Sequence, residues 1–197
     1  MMARNVGRTV ELRSVTSGEK KVLGLDVSSQ TVGWGLVRAG RRPALIAYGH
    51  IRPLPSSRGL MERLDSLYDD IKRLCEELSP DVVAVEDCAL FMHGRKSNAK
   101  TMMTLAVFNR VVSLAAYRKT GDVRFYPVGS IRKAVRMASA LDHAPHKEEI
   151  PGIIRRCLDG EFSDVEKRGG GTAVQTYDEA DGIAAAWCAA LDCGKGK

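Results

Sequence analysis

The sequence predicts an α/β domain: a mixed five-stranded sheet flanked by helices. Three observations lead there. Between Lys21 and Ile51 three short apolar runs follow one another with only polar turns between them, as in an antiparallel meander. A long helical pattern then leads to another short apolar run, a crossover unit whose outer strands pair in parallel. The rest of the chain repeats the alternation, with a fifth strand and further helices. A chain of 197 residues suits one domain and leaves enough material for a real core. Residues 1–20 read as a basic tail expected to be disordered, and residues 21–197 as a single domain.

In "KKVLGLDV", Val22, Leu23 and Leu25 form a continuous apolar run, the pattern of a strand covered on both faces. Asp26 ends that run, and a carboxylate near a core is costly unless it is paired or bound to a metal. The plainer reading is that Asp26 accepts hydrogen bonds in the Ser28, Ser29, Gln30 turn. "TVGWGLVRAG" and "PALIAYGHI" supply the second and third strands. From Leu60 to Leu78 the apolar residues Leu64, Leu67, Ile71, Leu74 and Cys75 recur at helical spacing, and Ser79-Pro80 ends the helix. "DVVAVED" is a short buried strand, again with an acid, Glu86, after its apolar run.

A second helix is expected over Ala99–Lys119, apolar on much of its circumference and therefore either central in the core or shared with another subunit. "DVRFYPV" reads as the fifth strand and "GSIRKAVRMASA" as the helix after it. A shorter helix in "HKEEIPGIIRRCLDG" is expected to be interrupted by Pro151. Residues 161–176, with Gly169, Gly170 and Gly171, read as a loop that lacks the Gly-Lys-Ser/Thr of a phosphate-binding loop. "YDEADGIAAAWCAALD" is a final helix of small residues, able to pack closely on a sheet.

Composition narrows the function classes. No run of about 18 apolar residues is present, so no membrane span is expected. The first twenty residues lack the apolar centre of a signal peptide; their Arg and Ser residues leave an organelle transit peptide open, and Glu11 and Glu19 count against it. Five cysteines without Cys-x-x-Cys spacing argue against a disulfide framework and a zinc site. Net charge is +6, but its distribution says more. From Phe91 to Arg136 ten basic side chains face one acid, Asp122, whereas acids dominate from Leu60 to Leu90. A segregated positive region is the footprint of a polyanion partner, most often nucleic acid, although a charge run is more commonly a solvated face.

Asp178 and Asp181, three apart, project from one face of the last helix. Two carboxylates about 4 Å apart repel by roughly 4 kcal/mol at an effective dielectric near 20. If Asp26, Glu86, Asp178 and Asp181 meet, the economical explanation is a pair of hard divalent cations held by carboxylate oxygens, as in nucleases that hydrolyse phosphodiesters. Glu179 lies about 100° around the helix from Asp178 and is a candidate supporting group behind them. His143 and His146 lack a third ligand and read as surface residues; Cys88 reads as a small apolar packing group.

These pieces make the resemblance specific. "LGLDVSSQTVGWGLV", "VVAVEDCALFMHGRKSNAKTMMTLA" and "DEADGIAAA" resemble the RuvC family of Holliday-junction resolvases, in the ribonuclease H-like superfamily, over roughly residues 21–191. The resemblance implies a ribonuclease H-like sheet, a homodimer, and metal-dependent nicking of two symmetric strands at a four-way DNA junction. It makes Asp26, Glu86, Asp178 and Asp181 the catalytic and metal-binding acids for two Mg²⁺ ions, with Mn²⁺ as substitute. One ion would lower the pKa of the attacking water and the other stabilise the departing 3′ oxygen. Phe91 falls where the family has an aromatic at the branch, and is equally readable as a core or dimer residue. Arg95, Lys96, Lys100, Arg132, Lys133 and Lys147 are the implied phosphate contacts, which give affinity rather than sequence selectivity. The Ala99–Lys119 helix is the expected dimer interface. The implied location is the cytoplasm of a bacterial or phage-infected cell, with an organelle as alternative. The basic tail and the three-glycine loop depart from the bacterial pattern and leave substrate preference open.

Three rivals remain at this level. Another ribonuclease H-like nuclease, acting on flaps, forks or RNA-DNA hybrids, would use the same acids. An actin- or sugar-kinase-type ATP-binding domain would share the "GLDVSSQTVGWGLV" hairpin but normally needs two such domains. A non-catalytic junction binder would gain by losing the four acids.

Overall fold

Strands form where apolar and β-branched residues run together, and here they assemble into one sheet. The computed structural model describes residues 5–9, 19–87, 99–166 and 172–194. The five expected strands are β2 (Lys21–Val27), β3 (Val32–Arg38), β4 (Ala44–Ile51), β5 (Val82–Asp87) and β6 (Val123–Pro127). β2, β3 and β4 make the antiparallel meander, while β5 pairs in parallel with β2, and β6 in parallel with β5.

A sixth strand corrects the expectation for the amino-terminal tail. β1 (Asn5–Thr9) pairs antiparallel with β4, from Asn5 opposite Ile51 to Thr9 opposite Ala47, giving the order β1-β4-β3-β2-β5-β6. Without it β4 would present an open edge, and an edge recruits any short extended segment that reaches it. The basic character of residues 1–20 conceals that pairing.

Side-chain alternation along the strands divides the core into two layers. Val22, Ala84, Val37 and Leu45 face the helices α3 (Val128–Ala138), α4 (Ile150–Cys157) and α5 (Val174–Gly194). Leu23, Leu25, Val83, Val85 and Trp34 face α1 (Leu60–Leu78) and α2 (Ala99–Thr120). Both faces are covered, which explains the unbroken apolar runs. α1 ends as its sequence predicts: Ser79 adopts φ 47°, its N–H caps the Cys75 carbonyl at 2.9 Å, and Pro80 follows.

Two helices differ from their sequence patterns. Pro151 lies in the first turn of α4 and opens the helix instead of interrupting it, because its missing N–H has no helical partner there anyway. α2 is not central: Phe108, Val112, Ala115 and Ala116 are buried, while Met103, Val107, Leu114 and Tyr117 form an exposed stripe on the opposite side.

α5 rests on the strands backbone to backbone. A Cβ at Gly33 would lie 1.9 Å from the Asp178 carbonyl oxygen, and one at Gly24 would lie 2.1 Å from that of Gly182. These glycines, with the alanines of α5, set how near the helix comes to the sheet.

Candidate active site

The strand pattern decides where the first two acids point. Asp26 has the parity of Val22 and Gly24, and Glu86 that of Val82 and Ala84, so both lie on the α5 face of neighbouring parallel strands. The turn after β2 is closed by Ser28, whose hydroxyl accepts the Gln30 and Thr31 N–H groups at 3.2 and 2.9 Å. Asp26 is thus not needed for that turn. Asn109, buried on α2, donates to the Glu86 carbonyl at 2.9 Å and ties down the end of β5.

α5 brings Asp178 and Asp181 to the same end of the sheet. Between the four acids stands Lys147, from a short 3-10 turn (Lys147–Glu149). Its Nζ lies 3.2 Å from Asp178 Oδ1 and 3.0 Å from Asp181 Oδ2. Arg132, on α3, reaches Asp181 Oδ1 at 3.4 Å and donates to the Pro145 carbonyl at 2.8 Å.

The electrostatics are those of crowded carboxylates. Burial raises the Asp26 pKa well above its ordinary value, and the charges of Glu86, Asp181 and Asp178 add to it, while Lys147 opposes. Glu86 is pushed up to about 7 by burial and by Asp181, against Arg132 and Lys147. Burial likewise raises Asp181, with Lys147 and Arg132 pulling it down. For the Lys147 ammonium, burial acts downward but the carboxylates of Asp181, Asp26 and Asp178 outweigh it and hold the pKa above the usual lysine value. Four oxygen donors that repel one another around a single ammonium are the donor set a hard divalent ion prefers. As they stand, Asp178 and Asp181 pair with the Lys147 ammonium, Asp26 and Glu86 feel its charge, and among the described residues no three His, Cys, Asp or Glu side chains gather closely enough to hold an ion.

Of the implied DNA contacts, Lys100 and Lys133 are exposed, at the start of α2 and on α3. Arg132 and Lys147 contact the acids directly. Phe91, Arg95 and Lys96 lie outside the described residues, as does Cys88. Part of the basic run is neutralised: packing of α2 pairs Lys119 with Glu76 of α1 and Arg110 with Asp87 of β5, while Arg124 of β6 pairs locally with Asp122. His143 is a surface residue, bonded to Asp142 and Glu149.

Glu179 lies behind the acids, as a supporting group would, and its partner is one the sequence did not indicate. It is buried at the α5–sheet interface, where Oε1 meets His50 Nδ1 of β4 at 2.7 Å, and among the described residues Oε2 has no hydrogen-bond partner. His50 stands opposite Gly33 in the sheet, so this pair secures the turn of α5 that carries Asp178 and Asp181. Nothing in the spacing of "YGHI" indicates it. His50→Leu leaves the buried Glu179 side chain without its hydrogen-bond partner, which costs about 1–3 kcal/mol. Thermal melting is expected to fall accordingly, and His50→Leu/Glu179→Leu to recover much of the loss.

The family model described as crossover junction endodeoxyribonuclease RuvC matches residues 22–159, ending before α5. The chain is similar to the crossover junction endodeoxyribonuclease RuvC of Rubrobacter xylanophilus, 31% identical over 171 residues, 86% of this chain and 84% of the relative. It is similar also to that of Halorhodospira halophila, 30% identical over 168 residues, 85% of this chain and 88% of the relative. Among solved structures, T. thermophilus RuvC in complex with Holliday junction substrate matches with a TM-score of 0.69 at 19% identity, over 90% of this chain and 96% of that one. The yeast mitochondrial Holliday junction resolvase Ydc2 matches with a TM-score of 0.54 at 14% identity, over 88% and 81%. At these identities the two structures bear on the fold. Among the described residues, no helix is long and apolar enough to cross a membrane.

Proposed function

Because the chain belongs to the RuvC family of crossover junction endodeoxyribonucleases, we propose that it hydrolyses phosphodiesters in two symmetric strands of a four-way DNA junction, as a homodimer, with two Mg²⁺ ions per site held by Asp26, Glu86, Asp178 and Asp181. The observation that carries the site assignment is the convergence of these acids, from two strands and a helix, around the Lys147 ammonium. When bound, divalent ions would supply a water of lowered pKa and a counter-charge for the departing 3′ oxygen; Mn²⁺ offers similar chemistry.

The chain's own residues have separable tasks. Asp26 and Glu86 lie on packed strands, which limits their movement and so favours an in-line approach. Asp178 and Asp181 depend on the seating of α5 over Gly33. Lys147 and Arg132 balance the acids and stand where a phosphate would enter, while Lys100 and Lys133 are exposed to take phosphates farther out. By the sequence resemblance, Phe91 stacks at the branch and Arg95 and Lys96 take further phosphates.

Support for the dimer comes from α2. Met103, Val107, Leu114 and Tyr117 recur along one side at spacings of four, seven and three, with 69%, 39%, 49% and 57% of their surfaces exposed. A stripe of that kind suits a second copy of the same helix. Light scattering is expected to give twice the chain mass, and Leu114→Arg to give a monomer; a monomeric parent protein would count against paired cleavage.

The deciding assay offers a synthetic four-way junction, a fork, plain duplex and an RNA-DNA hybrid, with metal omitted and then restored. Symmetric nicks in the junction alone, only with Mg²⁺ or Mn²⁺, are expected. Equal cutting of duplex would remove the junction selectivity.

A further inference from the structure

A second charged feature occupies the carboxylate end of the sheet. β2 and β4 both run antiparallel to β3, and Val27, Val32 and Ile51 share one row, so the segment after β4 emerges beside the turn that follows Asp26. Between that turn, the segment Arg52–Ser56 and the first turn of α1 lies an open groove of about 340 Å³. Ser29, Gln30, Arg52, Ser56 and Arg63 supply its polar lining, and among the described residues no carboxylate lines it.

Arg63 is the unusual member. It is only 9% exposed and sits 4.8 Å over the Phe108 ring. Nε donates to the Leu54 carbonyl at 2.8 Å and Nη2 to the Ser29 carbonyl. Both acceptors are neutral, and among the described residues no acid pairs with this guanidinium. A buried cation ordinarily takes an opposite charge, because carbonyl dipoles alone return little of the lost hydration. Two of the five guanidinium N–H groups are used, which leaves donors for an anion. Arg52 is exposed on the rim without an ion pair among the described residues.

We propose that this groove is a phosphate site, filled by a backbone phosphate of the DNA strand that enters the carboxylate cluster. Two guanidiniums, two hydroxyls and an amide, with no competing carboxylate among the described residues, match a phosphodiester, for which planar Arg donors are suited. Its openness and its place at the Asp26 end favour a continuous strand over a free ion. The inference rests on reading the chain as a DNA nuclease, and it adds Arg52, Arg63, Ser29 and Ser56 to the strand contacts.

The test measures junction binding against salt concentration, in chelator, for the parent protein, Arg52→Gln and Arg52→Lys. Arg63 is left intact because it also packs on Phe108. Arg52→Gln is expected to weaken binding by about three- to tenfold and to lower the slope of log K against log salt by about one, since one phosphate neutralisation is lost. Arg52→Lys is expected to keep the slope. Inorganic phosphate, titrated in parallel, separates the sources: a free-ion site shows Arg52-dependent phosphate binding with an unchanged DNA slope, which overturns the proposal. Equal affinity and slope in Arg52→Gln and the parent, with unchanged melting, also overturn it. Junction nicking is scored on the same samples. An Arg52-dependent slope without nicking by the parent refutes the nuclease reading and leaves the phosphate site standing; nicking with an Arg52-independent slope does the reverse.

Discussion

Asp26→Asn is expected to abolish junction nicking while junction binding persists. Asn keeps the size of the side chain but removes a charged oxygen donor from the carboxylate cluster. Divalent ions contribute several kcal/mol of transition-state stabilisation, and about 1.4 kcal/mol corresponds to tenfold, so a loss of at least about a hundredfold in rate is expected. Binding should survive because the cationic groups are untouched, and the loss of one negative charge near the strand favours it. Melting curves provide a second readout. Asp26 is pushed toward its neutral form by burial and by three neighbouring acids, so in chelator the Asn variant is expected to melt at or above the parent temperature. Added Mg²⁺ or Mn²⁺ should then stabilise the parent, by about 2.7 kcal/mol at a hundredfold excess over Kd, and the variant far less. An Asn variant that still nicks at the parent rate would sink the assignment of Asp26.

Gly33→Ala is expected to produce the second large effect, through position alone. The new methyl would lie 1.9 Å from the Asp178 carbonyl oxygen and 2.2 Å from its carbon, both backbone atoms that no rotamer change can move. α5 must therefore lift at the turn that carries Asp178 and Asp181, and the His50–Glu179 bond beneath it must stretch. Overpacking of this kind costs about 1–3 kcal/mol or more, which corresponds to a melting shift of roughly 2–4 °C per kcal/mol in a chain of this size. Nicking is expected to fall further than stability does, because misplacing catalytic groups by about 1 Å can cost a hundredfold in rate. Gly129→Ala is the matched control: it lies in the first turn of α3, and among the described residues nothing lies within 4 Å of the added carbon, so stability and activity are expected to stay at the parent level. Full activity in Gly33→Ala would show that α5 tolerates displacement.

Much of this architecture was legible from local pattern. Asp26 and Glu86 end apolar runs at matching places on their strands, and alternation by two sets both on one face. Asp178 and Asp181 share a helix face by their spacing, and Ser79-Pro80 marks the end of α1. These features depend on backbone periodicity and turn chemistry, which neighbouring residues determine among themselves.

What only the tertiary structure decided concerns partners distant along the chain. Lys147 enters the carboxylate cluster because a short turn packs against α5; Glu179 faces inward because His50 awaits it 129 residues earlier. Arg52 and Arg63 share a groove because β4 ends beside the turn after β2, and residues 5–9 join the sheet because β4 has a free edge to pair with. The apolar surplus of α2 became a surface stripe once one side of the helix was filled by α1 and the sheet. Periodicity specifies which side of an element is apolar, but which elements meet across that side is set by packing the whole chain at once, and sequence spacing carries no direct record of it.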